Sequence, residues 1–346
     1  MDPDPGTGVA GLAGRRRVPP PVRGWRARAS GRVDPFAGEV YGPLTADRRY
    51  SVSSSDGLAL AVDELGPAAA TVGAVFLHGL GNDATVWHHI LGALPAGGRY
   101  LFYDARGHGR SLPWGESPTS VPTLAADLAA VIAASGLESV VLIGHSLGGM
   151  TVLQYCRDHP SAFGQPGLVR GLALCNTTFG DVVGSLLLHQ LPGAAQRGLR
   201  AFGEWLLADP SRWGELRSLS PVVTRRVVRW VGFAPGASPT QLRYLGSFEK
   251  SYSSPALTRL LGSLLALDLR ETLDRLEVPT LIVTGARDRL IGRRASEFMA
   301  TRIPGAELLV AERSGHMTIM ERPDVVNPAL NGLLRRCLPG LESATG

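Results

Sequence analysis

A short glycine-flanked serine motif constrains this chain most. Residues 139–150 read SVVLIGHSLGGM, in which aliphatic residues lead into the G-x-S-x-G pentapeptide Gly144-His145-Ser146-Leu147-Gly148. Helix-compatible residues follow, so the pattern predicts a strand, a sharp turn and a helix, with Ser146 at the apex. Glycines are needed because bulky side chains would clash with the adjoining strand or helix. The backbone N–H of Leu147, at the positive end of that helix, can then stabilise negative charge on a substrate oxygen.

The flanking sequence predicts an α/β fold. After an initial hairpin with an Asp56-Gly57 turn, strands alternate with helices, which calls for a mostly parallel sheet with helices on both faces. Ligands in such sheets bind at the carboxyl ends of the strands. The predicted strands are Ser51–Ser53, Leu58–Asp63, Val72–Leu77, Tyr100–Tyr103, Val140–Ile143, Val169–Leu174, Thr280–Thr284 and Ala306–Val310, and the predicted helices are Val121–Ala134 and Met150–Asp158.

A long segment between two of these strands predicts an insertion. A crossover needs only a dozen or more residues, whereas about 100 lie between Asn176 and Val278. Residues 177–277 are therefore predicted to form a helical cap on a main domain of residues 49–176 and 278–340. Within Pro221–Phe233 the apolar residues share one helix face. This face either packs on the main domain or belongs to a mobile lid that meets a lipid-like substrate.

The N-terminal segment 1–48 is rich in Gly, Pro, Arg and Ala without periodicity, which predicts a disordered leader. The chain has a formal net charge of +5, yet residues 1–50 carry nine arginines against five acids. The basic balance therefore belongs to this segment, and the main domain has no signature of nucleic-acid binding. This leader either has no function or makes a weak contact with a polyanion or a membrane surface.

Cysteine usage and hydropathy predict a cytoplasmic protein. The three cysteines are widely spaced and lack a C-x-x-C pair, which is typical of buried thiols rather than of disulfides or a metal site. The arginine triplet at 15–17 precedes no signal-peptide core, and no run of about 18 apolar residues could span a bilayer. We expect no metal, no cofactor and no stable membrane insertion, and transient contact with a lipid surface stays open.

A serine hydroxyl needs a base to act as a nucleophile, and the base needs an orienting group. His316 stands out among the eight histidines because it follows a strand, lies in the loop Ser314-Gly315-His316-Met317 and comes after the serine. Asp288 lies just past another strand. The order Ser146, Asp288, His316, each after its own strand, predicts a nucleophile, an orienting acid and a base at one edge of the sheet.

A tetrahedral intermediate also needs hydrogen-bond donors for its oxyanion. The backbone N–H of Leu80, in the turn after the third strand, can act together with that of Leu147. His78, beside Gly79, is expected to hold this turn by hydrogen bonds. The glycine-rich loop 104–111 fits neither G-x-G-x-x-G nor G-x-x-x-x-G-K-[ST], so it is expected to be a turn scaffold rather than a phosphate site.

The motifs His78-Gly79, Asp104-x-Arg106-Gly107-His108-Gly109-x-Ser111, Gly144-His145-Ser146-Leu147-Gly148-Gly149, Asp288 and Gly315-His316 together resemble the α/β-hydrolase superfamily, over roughly residues 50–340. The resemblance implies Ser146 as nucleophile, His316 as base and Asp288 as orienting acid, with Leu80 and Leu147 as oxyanion donors. It also implies that the insertion is the helical cap that follows the sixth strand. Gly149-Met150-Thr151 is similar to actinobacterial esterases and lipase-like hydrolases. Likeness to dehalogenases or epoxide hydrolases is not supported, because those enzymes carry Asp as the nucleophile.

These expectations converge on hydrolysis of a carboxylic ester through an acyl-enzyme, with a small-molecule substrate that carries an apolar group. Acyl transfer, lactone hydrolysis and cofactor-free perhydrolysis or haloperoxidation on the same triad are the enzymatic alternatives. A ligand-binding protein that keeps the fold without turnover is a further alternative. An aligned acid and base argue against it, since binding alone needs neither.

Overall fold

The predicted strands form one eight-stranded sheet in the computed structural model of the chain. The structure describes residues 34–111, 119–163, 167–180, 229–248 and 254–341, together with the isolated positions 197, 201, 205 and 226. The strands are β1 (Arg48–Ser53), β2 (Ala59–Leu65), β3 (Val72–Leu77), β4 (Arg99–Tyr103), β5 (Ser139–His145), β6 (Val169–Cys175), β7 (Thr280–Gly285) and β8 (Glu307–Ala311).

The strand order is β1-β2-β4-β3-β5-β6-β7-β8. β2 pairs antiparallel with β1 and with β4, and all other neighbours pair parallel. The mostly parallel sheet that begins with a hairpin is therefore confirmed. Because the parallel strands point the same way, the loops that follow β3, β5, β6, β7 and β8 meet at one edge.

Helices cover both faces of this sheet. The described helices are α1 (Val121–Ser135), α2 (Leu147–Asp158), α3 (Pro239–Phe248), α4 (Ser254–Leu265), α5 (Arg270–Leu273), α6 (Arg293–Arg302), α7 (Thr318–Glu321) and α8 (Pro323–Cys337), with 3-10 helices at Ala84–Ala93 and Pro160–Ala162. In β5, Val140 and Leu142 pack in the core under α1 and α2, whereas Val141 and Ile143 pack in the core under α8. This period of two buries both sides of the strand, as parallel strands require.

Residues 34–47 belong to the folded domain, so the predicted end of the leader at residue 48 is wrong. Leu44 is 1% exposed and packs in the same core as the 3-10 helix Ala84–Ala93. The carboxylate of Asp34 accepts hydrogen bonds from the backbone N–H and the hydroxyl of Thr240, at the start of α3. Composition conceals these contacts, because a few apolar side chains in a Gly- and Pro-rich segment produce no periodicity. Residues 1–33 lie outside the described residues.

The predicted cap is described in part. α3 and α4 lie within it, and a β-bridge between Gly180 and Asp268 brings the two ends of the insertion together. Of Pro221–Phe233, where the sequence predicts one apolar face, only position 226 and residues 229–233 are described. Trp230 of this face is 59% exposed. None of the described helices is both long enough and apolar enough to cross a membrane.

A buried arginine joins the hairpin to the helical layer. Arg106 follows β4 and donates through Nε and Nη2 to the two carboxylate oxygens of Asp127 on α1, each at 2.6 Å. Its Nη1 donates to Asp56 Oδ2, in the β1–β2 turn, at 2.8 Å. Burying a guanidinium is costly, and here two carboxylates compensate for it. The loop 104–111 is thereby fixed as a scaffold, as predicted.

We expect Arg106→Ala to lower the free energy of unfolding by about 3–5 kcal/mol, because it leaves the buried Asp127 carboxylate without its counter-charge. Urea denaturation followed by circular dichroism measures the loss. Arg157→Ala is the matched control, since its pair with Asp158 is about half exposed and should contribute less than about 1 kcal/mol. Equal losses in the two variants would contradict the assignment.

Candidate active site

Ser146 lies at the turn between β5 and α2. Its φ of 52° and ψ of −116° are strained for a residue with a side chain. A Cβ on Gly144 would lie 2.5 Å from the carbonyl oxygen of Gly148, and one on Gly148 would lie 2.4 Å from a β3 carbonyl. Both glycines are therefore required. The turn is held in place because Ser146 donates its N–H to Cys175 O at 2.9 Å and accepts the Thr177 hydroxyl at 2.7 Å.

The structure brings the three residues selected from the sequence into one hydrogen-bonded row. His316 follows β8, and its Nε2 lies 3.0 Å from Ser146 Oγ. Its Nδ1 lies 3.0 Å from Oδ2 of Asp288, which follows β7. If Nδ1 carries the proton that it shares with Asp288, the Nε2 lone pair faces the serine hydroxyl. This tautomer is assigned from the hydrogen-bond partners.

The Asp288 carboxylate is surrounded by donors. Its Oδ1 accepts the backbone N–H groups of Leu290 and Ile291, each at 2.9 Å. Its Oδ2 accepts Nδ2 of Asn176 at 2.9 Å in addition to His316. Two backbone N–H groups and two side chains thus fix the plane of the carboxylate toward the imidazole.

Asn176 is a site residue that the sequence reasoning missed. It follows β6 directly, has a φ of 47°, and donates from Nδ2 to the carbonyl oxygen of Gly315 at 3.2 Å as well as to Asp288. One amide therefore joins the acid to the loop that carries the histidine. Its position in the sequence could have indicated this role, because it is a polar residue immediately after a buried strand, at the edge where the other site residues lie.

The two backbone groups predicted to bind an oxyanion occur in turns beside Ser146. Leu147 is the first residue of α2, and Leu80 lies in the turn after β3. Neither N–H donates to an acceptor within the part of the chain that the structure describes. Leu147 is buried, and buried N–H groups normally have partners. Its N–H, together with that of half-buried Leu80, is therefore suited to an incoming oxygen.

Two buried histidines support the turn that carries Leu80. His108 accepts the Gly81 N–H at its Nε2 at 3.1 Å, and His78 accepts the Ala105 N–H at its Nε2 at 2.9 Å. His78 also donates from Nδ1 to the carbonyl oxygen of Gly79 at 2.8 Å. The loop 104–111 and the β3 turn thus hold each other in place, and His78 makes the hydrogen bonds expected of it.

Burial keeps the neighbouring imidazoles neutral. Burial and His78 lower the pKa of His108 to about 3, and burial and His316 lower the pKa of His145 to about 3. His145 donates from Nε2 to the carbonyl oxygen of His316 at 2.9 Å. Because both rings are uncharged at neutral pH, they position the site without adding positive charge beside His316.

The end of the inserted segment is attached to both loops of the site. Arg289, the residue after the acid, donates from Nη1 to Trp230 O at 2.9 Å and places its guanidinium 5.0 Å from the indole centroid. Met317, the residue after the histidine, donates its N–H to Gly232 O at 2.9 Å. A displacement of residues 230–232 would therefore act on both loops at once.

Glu321 reinforces the same attachment and was also missed, since no motif marks it. It ends α7, is 7% exposed, and accepts the N–H groups of Gly315 and Ala234 at 2.8 Å each. Burial raises the pKa of its carboxyl to about 7, although the two N–H donors act in the opposite direction. The group thus changes its charge near neutral pH, beside the histidine loop.

This site, on this sheet, defines the class of protein. The family model described as alpha/beta hydrolase fold matches residues 75–323. The chain therefore belongs to the α/β-hydrolase family.

Individual proteins of the family show how this chain compares. It is 28% identical over 253 residues to the pimeloyl-[acyl-carrier protein] methyl ester esterase of Aeromonas hydrophila, covering 72% of this chain and 90% of the esterase. It is 28% identical over 259 residues to RutD of Azorhizobium caulinodans, which is named as a carbamate hydrolase, covering 73% and 88%. A hydrolase from Pseudomonas aeruginosa superposes with a TM-score of 0.66 at 25% identity, covering 84% of this chain and 99% of that one. An esterase from Exiguobacterium antarcticum shares the fold with a TM-score of 0.67 at 22% identity, covering 82% and 98%.

We expect Glu321→Gln to remove one component of the pH dependence of stability. A carboxyl whose pKa rises from 4.5 to about 7 on folding stabilises the fold most below pH 4.5, and this contribution is lost as the pH rises to 7, by about 3 kcal/mol. The free energy of unfolding of wild type minus that of Glu321→Gln, measured in urea from pH 4.5 to 8, should therefore fall by that amount as the pH rises. Exposed Glu312→Gln is the control. A difference that does not vary with pH would refute the raised pKa.

Proposed function

We propose that this member of the α/β-hydrolase family is a serine hydrolase that cleaves carboxylic esters through an acyl-enzyme on Ser146. The observation that carries the proposal is the pair of 3.0 Å hydrogen bonds from His316, one to Ser146 Oγ and one to Asp288. A nucleophile, a base and an orienting acid in this arrangement have the geometry that acyl transfer requires.

In the acylation step, Ser146 Oγ attacks the carbonyl carbon of the ester while His316 Nε2 takes the hydroxyl proton. The oxygen of the tetrahedral intermediate receives the N–H groups of Leu80 and Leu147. The intermediate then collapses, the carbon–oxygen bond to the alcohol breaks, and the His316 imidazolium gives its proton to the departing oxygen. Asp288 stabilises the imidazolium throughout and keeps its ring in place.

Deacylation repeats these steps with water. His316 takes a proton from a water molecule, whose oxygen attacks the acyl carbon and forms a second tetrahedral intermediate at the same two N–H groups. The intermediate releases the carboxylic acid as His316 returns the proton to Ser146 Oγ. The protons balance through one imidazole: the serine proton leaves with the alcohol, and the water proton restores the Ser146 hydroxyl.

The substrate is proposed to be a small ester with an apolar acyl or alcohol group. In the described part of the inserted segment, Trp230 and Trp205 are 59% and 45% exposed, and Trp230 is hydrogen-bonded to the residue after Asp288. The relative named as a methyl ester esterase supports an ester as substrate. The relatives named as carbamate hydrolases support a second candidate, a carbamate, whose carbonyl carbon undergoes the same addition.

We expect Ser146→Ala to lower kcat on short p-nitrophenyl esters at least about 10⁴-fold, because the nucleophile is lost while binding groups remain. Purified full-length protein should release p-nitrophenol, and a fluorophosphonate should phosphonylate Ser146 Oγ with loss of fluoride, which adds the mass of the phosphonyl group. Exposed Ser51→Ala is the control and should keep full activity. The same preparations assayed on ethyl carbamate separate the two candidate substrates. Unchanged ester hydrolysis in Ser146→Ala, with no adduct on the wild type, would refute the mechanism.

We expect Asn176→Ala to lower kcat about 10- to 100-fold with little change in KM. It removes the hydrogen bond to the Asp288 carboxylate and the link to Gly315, and a hydrogen bond to a charged group contributes about 1.5–3 kcal/mol. Asn331→Ala is the matched control, since that amide also donates to a backbone carbonyl, of Ala93, but belongs to α8. Steady-state kinetics at matched folded fraction distinguishes the two. A loss of stability alone, with normal kcat, would refute the positioning role.

A further inference from the structure

A cluster of metal-binding side chains lies outside the site described above. Glu39 belongs to the N-terminal segment 34–44, whereas His88 and His89 lie in the 3-10 helix Ala84–Ala93. Glu39 Oε2 is 3.5 Å from His89 Nδ1 and 3.9 Å from His88 Nε2, and the three ligand atoms all lie within 4.8 Å of one another. Glu39 precedes His88 and His89 by 49 and 50 positions in the sequence, so no spacing motif could reveal the cluster.

The distances from Glu39 to the two imidazoles fit ligands of one shared ion better than they fit direct hydrogen bonds. A direct N–H···O bond spans roughly 2.7–3.2 Å, shorter than either contact. Two ligands placed tetrahedrally at about 2.0–2.2 Å from one ion lie roughly 3.3–3.6 Å apart. The Glu39–His89 separation of 3.5 Å falls in that range, and the Glu39–His88 separation of 3.9 Å exceeds it slightly.

Glu39 Oε2 is itself an observation that points to a ligand. This oxygen is excluded from solvent and accepts no hydrogen bond of normal geometry from the described residues, although the Tyr41 hydroxyl lies near the same carboxylate. A buried acceptor without a partner costs free energy, and a carboxylate oxygen costs more than a neutral one. A cation bound between Glu39 and the two imidazoles would give this oxygen a partner.

Tyr41 orients one of the imidazoles. Its hydroxyl lies 3.1 Å from His89 Nε2, so His89 can donate from Nε2 and keep a lone pair on Nδ1, which faces Glu39. Metal-binding histidines commonly use the second nitrogen in this way.

We propose that Glu39, His88 and His89 bind one divalent transition-metal ion, with Zn²⁺ the preferred ion and water completing its coordination. Two imidazole nitrogens and one carboxylate oxygen form a set that Zn²⁺ binds in proteins. Ca²⁺ and Mg²⁺ favour oxygen ligands and fit the set poorly.

The position of the cluster indicates what the ion would stabilise. The segment 34–44 contacts α3 twice: Asp34 accepts two hydrogen bonds from Thr240, and the Tyr41 ring lies 5.4 Å from the Tyr244 ring. An ion held by Glu39 and the two histidines would cross-link this segment to the 3-10 helix of the main domain. It would therefore stabilise the attachment of α3, rather than take part in chemistry at Ser146.

The test is Zn²⁺ binding to the full-length, tag-free, chelator-stripped protein, in competition with a chromophoric chelator. We expect one equivalent to bind and Tm to rise with Zn²⁺ concentration, since an ion that binds only the folded state stabilises it. Tyr41→Phe should weaken binding about 10-fold, as loss of an orienting hydrogen bond does, and Glu39→Gln and His88→Gln should weaken it further. Co²⁺ should give visible absorption bands with wild type that Glu39→Gln loses.

His159→Gln is the matched control, since His159 is exposed and lies just after α2, where its ring is tilted against that of Tyr155. This variant should bind Zn²⁺ as wild type does. Circular dichroism establishes that each variant is folded, which the partial exposure of His88 and Glu39 favours. The proposal is overturned if wild type binds no stoichiometric Zn²⁺, or if Glu39→Gln and His88→Gln keep the wild-type affinity and Tm shift.

Discussion

The close approach of strand β5 to helix α2 at Ser146 is the constraint on which the rest of the site depends. The absence of a Cβ at Gly144 lets β5 approach α2, and its absence at Gly148 lets α2 approach β3. This close packing places a serine at φ 52°, and the strain that results must be offset by neighbouring contacts. Those contacts come from the next strand: Cys175 and Thr177 bond the backbone of Ser146. The serine is therefore positioned by the sheet itself.

The remaining groups of the site lie at the same edge of the sheet, and buried polar residues fix their relative positions. Asn176 joins the Asp288 carboxylate to Gly315, and Glu321 joins Gly315 to the inserted segment at Ala234. Networks of this kind are stable only when nearly every member has its partner. The result is a histidine loop whose position depends on contacts from β6, from β7 and from the insertion together.

The N-terminal segment 34–44 likewise contacts both the main domain and the inserted segment. Leu44 packs in the core beside the 3-10 helix, and Asp34 bonds to Thr240 at the start of α3. A Gly- and Pro-rich composition therefore does not separate a leader from a domain, because a few buried side chains and one carboxylate are enough to make specific contacts. Contacts from this segment reach both the main domain and α3.

The sequence by itself determined the order of strands and helices, the serine turn, and the three residues that follow three different strands. It could do so because hydrophobic periodicity and glycine spacing are local properties of the chain. Only the tertiary structure decided which groups support them. Asn176, Glu321 and the cluster of Glu39 with His88 and His89 come from distant parts of the chain, and a pattern that is read along one dimension carries no information about which distant side chains meet.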